Sequence, residues 1–260
     1  MIKTKWLISV AGLLGPVLAH AGCKQHFQTW MDALHPQRTL DVEHATCTSW
    51  PTNPQYALAV LPLFRETDAA PKTALDLDVV VADTQTGALV THLYREDAIR
   101  TDGADFIDLA IDTASYPVAP DRQAFGVRMS RQAAPGPQLA GSTVLSLYVM
   151  DGELLRQVLD GFTVVSAQGR WDGKCKGYFD STSRSIGMAE PGAQGFAALQ
   201  VSEKRARTVS PMANGACTSH AGVSKEREFA LDYSDGVYEM PSEKSAAENY
   251  FLILSYIDES

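Results

Sequence analysis

Several catalytic signatures are missing from this 260-residue sequence. It has neither the Gly-x-Ser-x-Gly nucleophile elbow nor the Ser-x-x-Lys pair of common serine hydrolases. It also has no His-Glu-x-x-His metalloprotease motif and no Gly-rich loop between a predicted strand and a helix. No cofactor is therefore predicted, and the sequence favours either a binding function or an active site assembled from distant residues.

Cysteine is scarce. No Cys-x-x-Cys motif occurs, which excludes a thioredoxin-like redox motif and a zinc ribbon. An even number of cysteines is typical of an exported protein that forms disulfides. Of the three possible pairings, neighbour pairing is favoured because each bond then closes a short loop. The sequence therefore predicts two disulfides among its four cysteines: Cys23 with Cys47, and Cys175 with Cys217.

The first 21 residues have the three parts of a secretory signal peptide. Lys3 and Lys5 precede an apolar segment, residues 6–18, and Ala19-His20-Ala21 forms a small-x-small cleavage site. The apolar segment is shorter than the roughly 20 residues that span a bilayer. We expect a mature chain of residues 22–260 in the periplasm of a Gram-negative-type envelope, with secretion as an alternative.

Cys23 also suggests an outer-membrane lipoprotein, because Ala21, Gly22 and Cys23 resemble the end of a lipoprotein signal. His20, however, occupies the position where such a signal has an apolar residue. A lipid on Cys23 would also leave an odd number of cysteines. Ordinary cleavage after Ala21 is favoured, and a lipid anchor at Cys23 is the alternative.

The charge of the chain is acidic, with a formal net charge of −9. Removal of Lys3 and Lys5 with the signal leaves 20 basic against 31 acidic residues, a net charge of −11. Such a chain is not expected to bind nucleic acid or an anionic membrane. The charge suits solubility, which is the favoured explanation, and the alternative is that it attracts another protein, of basic character, as the partner. No second long apolar run occurs, so no membrane span is predicted.

Alternation of apolar and polar residues dominates the mature chain and predicts a mainly β fold. We expect an antiparallel sandwich or two packed sheets with a short N-terminal helix over residues 24–34, and a small β-propeller as the alternative. The chain reads as a single β-rich domain, 22–260, or as two subdomains that meet near the loop at 132–142.

Local signals add detail to this prediction. Asp151-Gly152 and Asp160-Gly161 predict the two hairpin turns of a three-stranded meander over residues 143–150, 153–159 and 162–167. The apolar segment 249–257 predicts a central buried strand. Asp76 and Asp78 alternate with apolar residues and are expected on the outward face of a strand.

Metal ligands are sparse. The best candidates for a hard cation are Asp102, Asp105 and Asp108, but the Asp-x-Asp-x-Asp-Gly spacing of a calcium loop is absent. A solvated strand face explains them better, and no metal site is predicted. Two basic clusters, Arg122, Arg128 and Arg131 with Lys204, Arg205 and Arg207, are expected to form ion pairs across neighbouring strands.

Few histidines are available to act as the catalytic base of a hydrolase. His92 lies in the middle of a predicted strand and is expected to be a hydrogen-bonded structural residue. His220 follows Cys217 closely, but Cys217 could act as a nucleophile only if it were reduced.

The sequence therefore predicts an exported, non-enzymatic binding protein. A specific hypothesis is an antagonist, meaning an immunity or inhibitor protein, of an enzyme that acts on the cell envelope. The alternatives are a cell-envelope hydrolase with a dispersed active site and an accessory component of an envelope assembly.

Overall fold

The computed structural model describes residues 22–65, 74–100, 105–133, 138–192, 195–210, 212–213, 216–218 and 220–240. The predicted signal peptide and the predicted strand at 249–257 lie outside these ranges. A 3-10 turn, Cys23–His26, leads into helix α1, Phe27–Leu34, and β-strands make up most of the remaining described chain. No helix among the described residues is long and apolar enough to cross a membrane.

Five strands form the first antiparallel sheet. Strand β3 pairs with β1 and β2 on one side and with β4 on the other, and β4 pairs with β5. Their bounds are β1 Arg38–Leu40, β2 Thr46–Ser49, β3 Tyr56–Arg65, β4 Ala74–Asp83 and β5 Leu89–Arg100.

The second sheet has seven strands in the order β14-β11-β10-β9-β8-β7-β6, all antiparallel. Two-stranded ribbons, β12 with β13 and β15 with β16, complete the fold. The bounds are β6 Asp105–Ala119, β7 Arg122–Gln132, β8 Gln138–Asp151, β9 Leu154–Trp171, β10 Gly177–Pro191, β11 Ala197–Ser210, β12 Met212–Ala213, β13 Ala216–Cys217, β14 His220–Leu231, β15 Tyr233–Ser234 and β16 Val237–Tyr238.

The two sheets pack face to face, as the sequence predicts for a β-sandwich. Buried side chains from both sheets form one cluster between them, which includes Leu58, Val79, Phe125 and Tyr148. The other face of the seven-stranded sheet has its own core around Leu147, and the sheet curls so that β6 approaches β10 and β11. The β-sandwich is confirmed.

The meander prediction is correct at one turn and wrong at the other. Gly152 has φ +64° and joins β8 to β9, as expected for the Asp-Gly hairpin. Gly161 also has a positive φ, +61°, but β9 continues through it and pairs with β8 on both sides. The register shifts there by one residue, so Gly161 is part of a β-bulge that bends one long strand.

The segment 132–142, where the sequence predicts a meeting of two subdomains, joins β7 to β8. These strands pair with each other from Gln132 and Gly141 onward within the seven-stranded sheet. The passage from one sheet to the other lies earlier in the chain, between β5 and β6.

Both predicted disulfides are present. Cys23 is bonded to Cys47 with their Cα atoms 6.1 Å apart, and Cys175 is bonded to Cys217 with their Cα atoms 5.1 Å apart. The first bond ties the start of the helical segment to β2, and the second ties the β9–β10 turn to β13.

Helix α1 covers the second face of the five-stranded sheet. Phe27, Trp30 and Met31 of the predicted N-terminal helix pack with β3 and β4 side chains. The Trp30 indole Nε1 donates a hydrogen bond of 2.8 Å to the Gly87 carbonyl in the turn between β4 and β5. With this helix in place, the central strands β3 and β4 are buried on both faces.

Candidate functional site

The end of helix α1 places an imidazole beside a buried carboxylate. The residue before a proline is disfavoured in helical conformation, so Pro36 makes His35 leave the helix. His35 has φ −140° and ψ 60° and lies directly after the last helical residue. Its side chain reaches Asp78 of β4, 43 residues further along the chain.

Asp78 is fully buried and contacts two imidazoles. Nε2 of His35 lies 2.6 Å from Oδ2 of Asp78, and Nδ1 of His92 lies 3.0 Å from the same oxygen. Because a carboxylate accepts hydrogen bonds and does not donate them, each facing ring nitrogen carries its hydrogen here. The side chains of His35 and His92 are 11% and 38% exposed, so the cluster opens to solvent at His92.

Asp76 lies two residues earlier on the same face of β4 and has separate partners. Arg65 donates to its carboxylate from Nη2 at 2.5 Å, the Tyr94 hydroxyl donates at 2.6 Å, and the Asp97 N–H donates at 3.0 Å. Arg38 adds a contact of 3.4 Å from its Nε. Burial alone would raise the pKa of Asp76, but the hydrogen bonds from Arg65 and Tyr94 outweigh burial and lower the pKa to about 2.

A bulge in β5 brings a backbone N–H to this carboxylate. The register between β4 and β5 shifts between Leu75 and Leu77, opposite Asp76. Asp97 in the bulge has φ +49°, a value that is uncommon outside glycine. Its N–H donates to Asp76, and its carboxylate lies 3.0 Å from Nη2 of Arg65. The unusual backbone conformation is therefore held by the buried carboxylate.

The cluster of His35, Asp78 and His92 offers two kinds of chemistry. One ligand atom from each side chain lies within 4.8 Å of the other two, and two imidazole nitrogens with a carboxylate oxygen suit zinc and other divalent transition ions. A carboxylate that orients an imidazole is also the arrangement used by histidine bases. His92 is the more exposed of the two imidazoles and is the one that solvent reaches.

A second candidate site is a groove of about 360 Å³ on the outer part of strands β7 to β10. Its lining includes Leu139, Val165 and Phe179, whose exposed fractions are 43%, 44% and 40%. Arg131 also lines the groove. Its Nη2 lies 3.7 Å from the Met129 sulfur, and its buried Nε has no hydrogen-bond partner among the described residues.

Other members of the basic clusters are ion-paired across or along strands, as the sequence predicts. The pairs join Arg122 to Asp151, Arg128 to Asp112, Lys204 to Glu226, Arg205 to Glu203 and Arg207 to Asp180, at 2.6–3.1 Å. Within the part of the chain that the structure describes, Arg131 has no such acidic partner. Arg131 thus differs from the other members of the basic clusters in its lack of an ion pair with a described acidic residue.

The sequence-predicted site residues are dispersed. Asp102 lies outside the described residues, whereas Asp105 and Asp108 belong to β6, opposite Gln132 and Ser130 of β7. Asp108 is exposed. The cysteines are all bonded in pairs, and His220 is exposed on β14. The disulfide of Cys217 leaves His220 without the neighbouring thiol that a Cys–His site requires.

The expectation that Asp76 and Asp78 face outward is wrong, because they are 1% and 0% exposed. Alternation correctly separates the two faces of β4 but does not reveal that helix α1 covers the second one. A signal was available in the segment 79–82, Val-Val-Val-Ala, which is apolar on both faces and is typical of a strand buried on both sides. The His92 prediction agrees with its hydrogen bond to Asp78.

Comparison with known proteins identifies no relative of this chain. No protein-family model, no curated protein and no solved structure matches the chain. The function is therefore inferred from the groove and from the buried carboxylate cluster.

Proposed function

We propose that this chain is an exported binding protein that recognises another protein through the groove lined by Leu139, Val165 and Phe179. The observation that carries this proposal is the exposed apolar lining beside Arg131. Exposed apolar patches rimmed by polar groups commonly mark interaction sites. Arginine is enriched among the residues that dominate binding energy, and Arg131 lines the groove without an acidic partner among the described residues.

The partner that best suits this surface is a basic protein. The net charge of −11 that the chain has without Lys3 and Lys5 attracts a basic partner at long range. At the groove itself, the partner inserts an apolar side chain and offers a backbone carbonyl to the Arg131 guanidinium. A carbonyl accepts a hydrogen bond from the guanidinium without placing a negative charge on the partner.

Export to the periplasm is part of the proposal, and the two disulfides support it because such bonds persist in oxidising compartments. The test is the intact mass of the chain purified from cells. We expect a chain that begins at Gly22, carries no lipid on Cys23, and weighs less than its reduced form by four hydrogens. A retained leader with four free thiols would contradict export.

The groove can be tested by capture from a periplasmic extract, followed by a binding measurement with the purified captured protein. Val165→Asp places a charge in the groove, and Leu154→Asp is the matched control. Leu154 belongs to the same strand, is 67% exposed, and does not line the groove. A third variant, Arg131→Met, keeps much of the side-chain volume and removes the guanidinium.

We expect the native chain and Leu154→Asp to bind the same basic protein with equal affinity. Val165→Asp and Arg131→Met should each weaken binding about tenfold or more, in line with losses at interface hot spots. Affinity should also fall as salt concentration rises. Equal binding by all four proteins, or no specific partner for the native chain, would overturn the proposal.

The more specific role that we propose is that of an antagonist of an enzyme that attacks the cell envelope. The predicted compartment and the basic character proposed for the partner support it. If the captured protein is such an enzyme, adding the native chain should inhibit it in proportion to occupancy, while Val165→Asp should not. A captured enzyme that stays fully active at saturation would exclude the antagonist role and leave the binding function intact.

A cell-envelope hydrolase is the second candidate function, because Asp78 orients His92 at a solvent-accessible position. In that case hydrolysis of purified cell-wall material should be lost in His92→Ala and retained in His220→Ala. Absence of hydrolysis by the native chain would exclude this candidate.

A further inference from the structure

We infer that His35, Asp78 and His92 form a zinc site with one position open to solvent. The three side chains come from different parts of the chain, namely the end of α1, strand β4 and strand β5. One donor atom from each side chain lies within 4.8 Å of the other two. None of the three residues lines the groove, so the inference is independent of the proposed partner binding.

The distances between the donor atoms suit a small ion after a modest adjustment. Zinc bonds to imidazole nitrogen and carboxylate oxygen at about 2.0–2.2 Å, so two ligands of a tetrahedral ion are about 3.3 Å apart. Nε2 of His35 and Nδ1 of His92 lie 2.6 and 3.0 Å from Oδ2 of Asp78. Each imidazole therefore needs to move away from the carboxylate by less than about 1 Å. The proton of each facing nitrogen moves to the other ring nitrogen when zinc binds.

The neighbouring acid, Asp76, does not compete for the ion. Its carboxylate already accepts hydrogen bonds from Arg65, Tyr94 and the Asp97 N–H. The Asp78 carboxylate, by contrast, accepts its hydrogen bonds from the two imidazoles within the part of the chain that the structure describes. Asp78 is therefore the carboxylate available to a cation.

The surroundings hold the ligands in place. Asp78 is fixed in the paired strand β4, opposite Tyr94 of β5. The His35 ring packs on the Tyr94 ring with centroids 4.7 Å apart. His92 is the most exposed ligand, so the remaining coordination position faces solvent. Three protein ligands with an open fourth position distinguish this arrangement from closed structural zinc sites.

The experiment uses the oxidised chain without a histidine tag, stripped of metal by a chelator. Zinc is titrated in competition with a chromophoric chelator, and cobalt(II) is added separately as a spectroscopic probe. His92→Ala removes the most exposed ligand and is the variant most certain to fold. His44→Ala is the matched control, because Nδ1 of His44 also contacts a carboxylate, Oδ2 of Asp41 at 2.7 Å, outside the cluster.

We expect one zinc ion per native chain, with the same affinity in His44→Ala. Affinity should fall at least about tenfold in both His92→Ala and His35→Ala. Cobalt should give the intense visible absorption of a tetrahedral complex in the native chain and in His44→Ala, and not in His92→Ala or His35→Ala. The circular dichroism spectrum of His92→Ala without metal should match that of the native chain, which separates loss of the site from loss of the fold.

Saturable zinc binding that survives in His92→Ala, or native binding no tighter than that of a His35→Ala/His92→Ala double variant, would overturn the proposal. The outcome does not depend on protein partner binding. The cluster belongs to the α1 side of the five-stranded sheet, whereas the groove belongs to the seven-stranded sheet.

Discussion

Glu203 on β11 and Arg227 on β14 face each other across the seven-stranded sheet. The Arg227 guanidinium donates to both carboxylate oxygens, at 2.6 and 3.2 Å. Arg184 from β10 and Arg205 from β11 each donate a further hydrogen bond of 2.7 Å. Glu203 is only 2% exposed, so one buried carboxylate binds three guanidiniums and links three adjacent strands.

Stability should depend on pH through Glu203. Burial alone would raise the pKa of Glu203, but the hydrogen bonds from Arg227 and Arg205 outweigh burial and lower the pKa from 4.5 to about 2. The unfolded chain therefore takes up a proton at higher pH than the folded chain does. The contribution of ionised Glu203 to the free energy of unfolding is complete above pH 4.5 and is lost as the pH falls towards 2. We expect a loss of up to about 3 kcal/mol in the free energy of unfolding, measured by urea unfolding at stepped pH.

The control for this prediction is Glu203→Gln. At neutral pH we expect it to destabilise the chain by about 3–5 kcal/mol, because three guanidiniums lose their counter-charge. Its unfolding free energy should change less steeply with pH over the acid range than that of the native chain. Parallel pH curves for the two proteins would contradict the assignment to Glu203.

Replacement of Trp30 by Phe should destabilise the fold by about 1–3 kcal/mol. The variant keeps most of the buried ring but leaves the Gly87 carbonyl without the indole donor. Trp171→Phe is the matched control, since Trp171 is 38% exposed and should change stability little. The free energy of unfolding from denaturant titration is the measurement, and equal losses in the two variants would refute the role of the indole hydrogen bond.

The pairing of the four cysteines and the stability that each disulfide adds can be tested separately. Peptide mapping under non-reducing conditions is expected to recover Cys23 linked to Cys47 and Cys175 linked to Cys217, which close loops with sequence separations of 24 and 42. Replacing either pair by serine should cost about 2–4 kcal/mol of unfolding free energy. Any peptide that links the N-terminal pair to the C-terminal pair would show that the pairing is different.

Much of the fold could be predicted from local patterns. Period-two alternation predicts the strands because successive side chains in a strand point to opposite faces. Asp235-Gly236, the kind of pair that favours a two-residue hairpin turn, has positive φ at both residues and joins the short strands β15 and β16. Asp160-Gly161 has the same composition and predicts a turn, but a positive φ suits a bulge equally well. Only pairing with β8 distinguishes the two.

The candidate site was less predictable, since its parts are far apart in the chain. His35 and Asp78 are separated by 43 residues, and each has an ordinary local explanation as a helix end or a strand acid. Arg131 likewise looks like its neighbours Arg122 and Arg128 in the sequence. Its lack of an ion pair among the described residues becomes visible only when the strands are side by side.

The sequence by itself determined the mainly β class, the strand faces and the short covering helix, because these depend on the spacing of apolar residues along the chain. The burial of Asp76 and Asp78 follows from tertiary structure, because their partners come from β1, β3, β5 and the residue that follows helix α1. The physical reason is that alternation distinguishes two faces of a strand, whereas the exposure of each face depends on what packs against it.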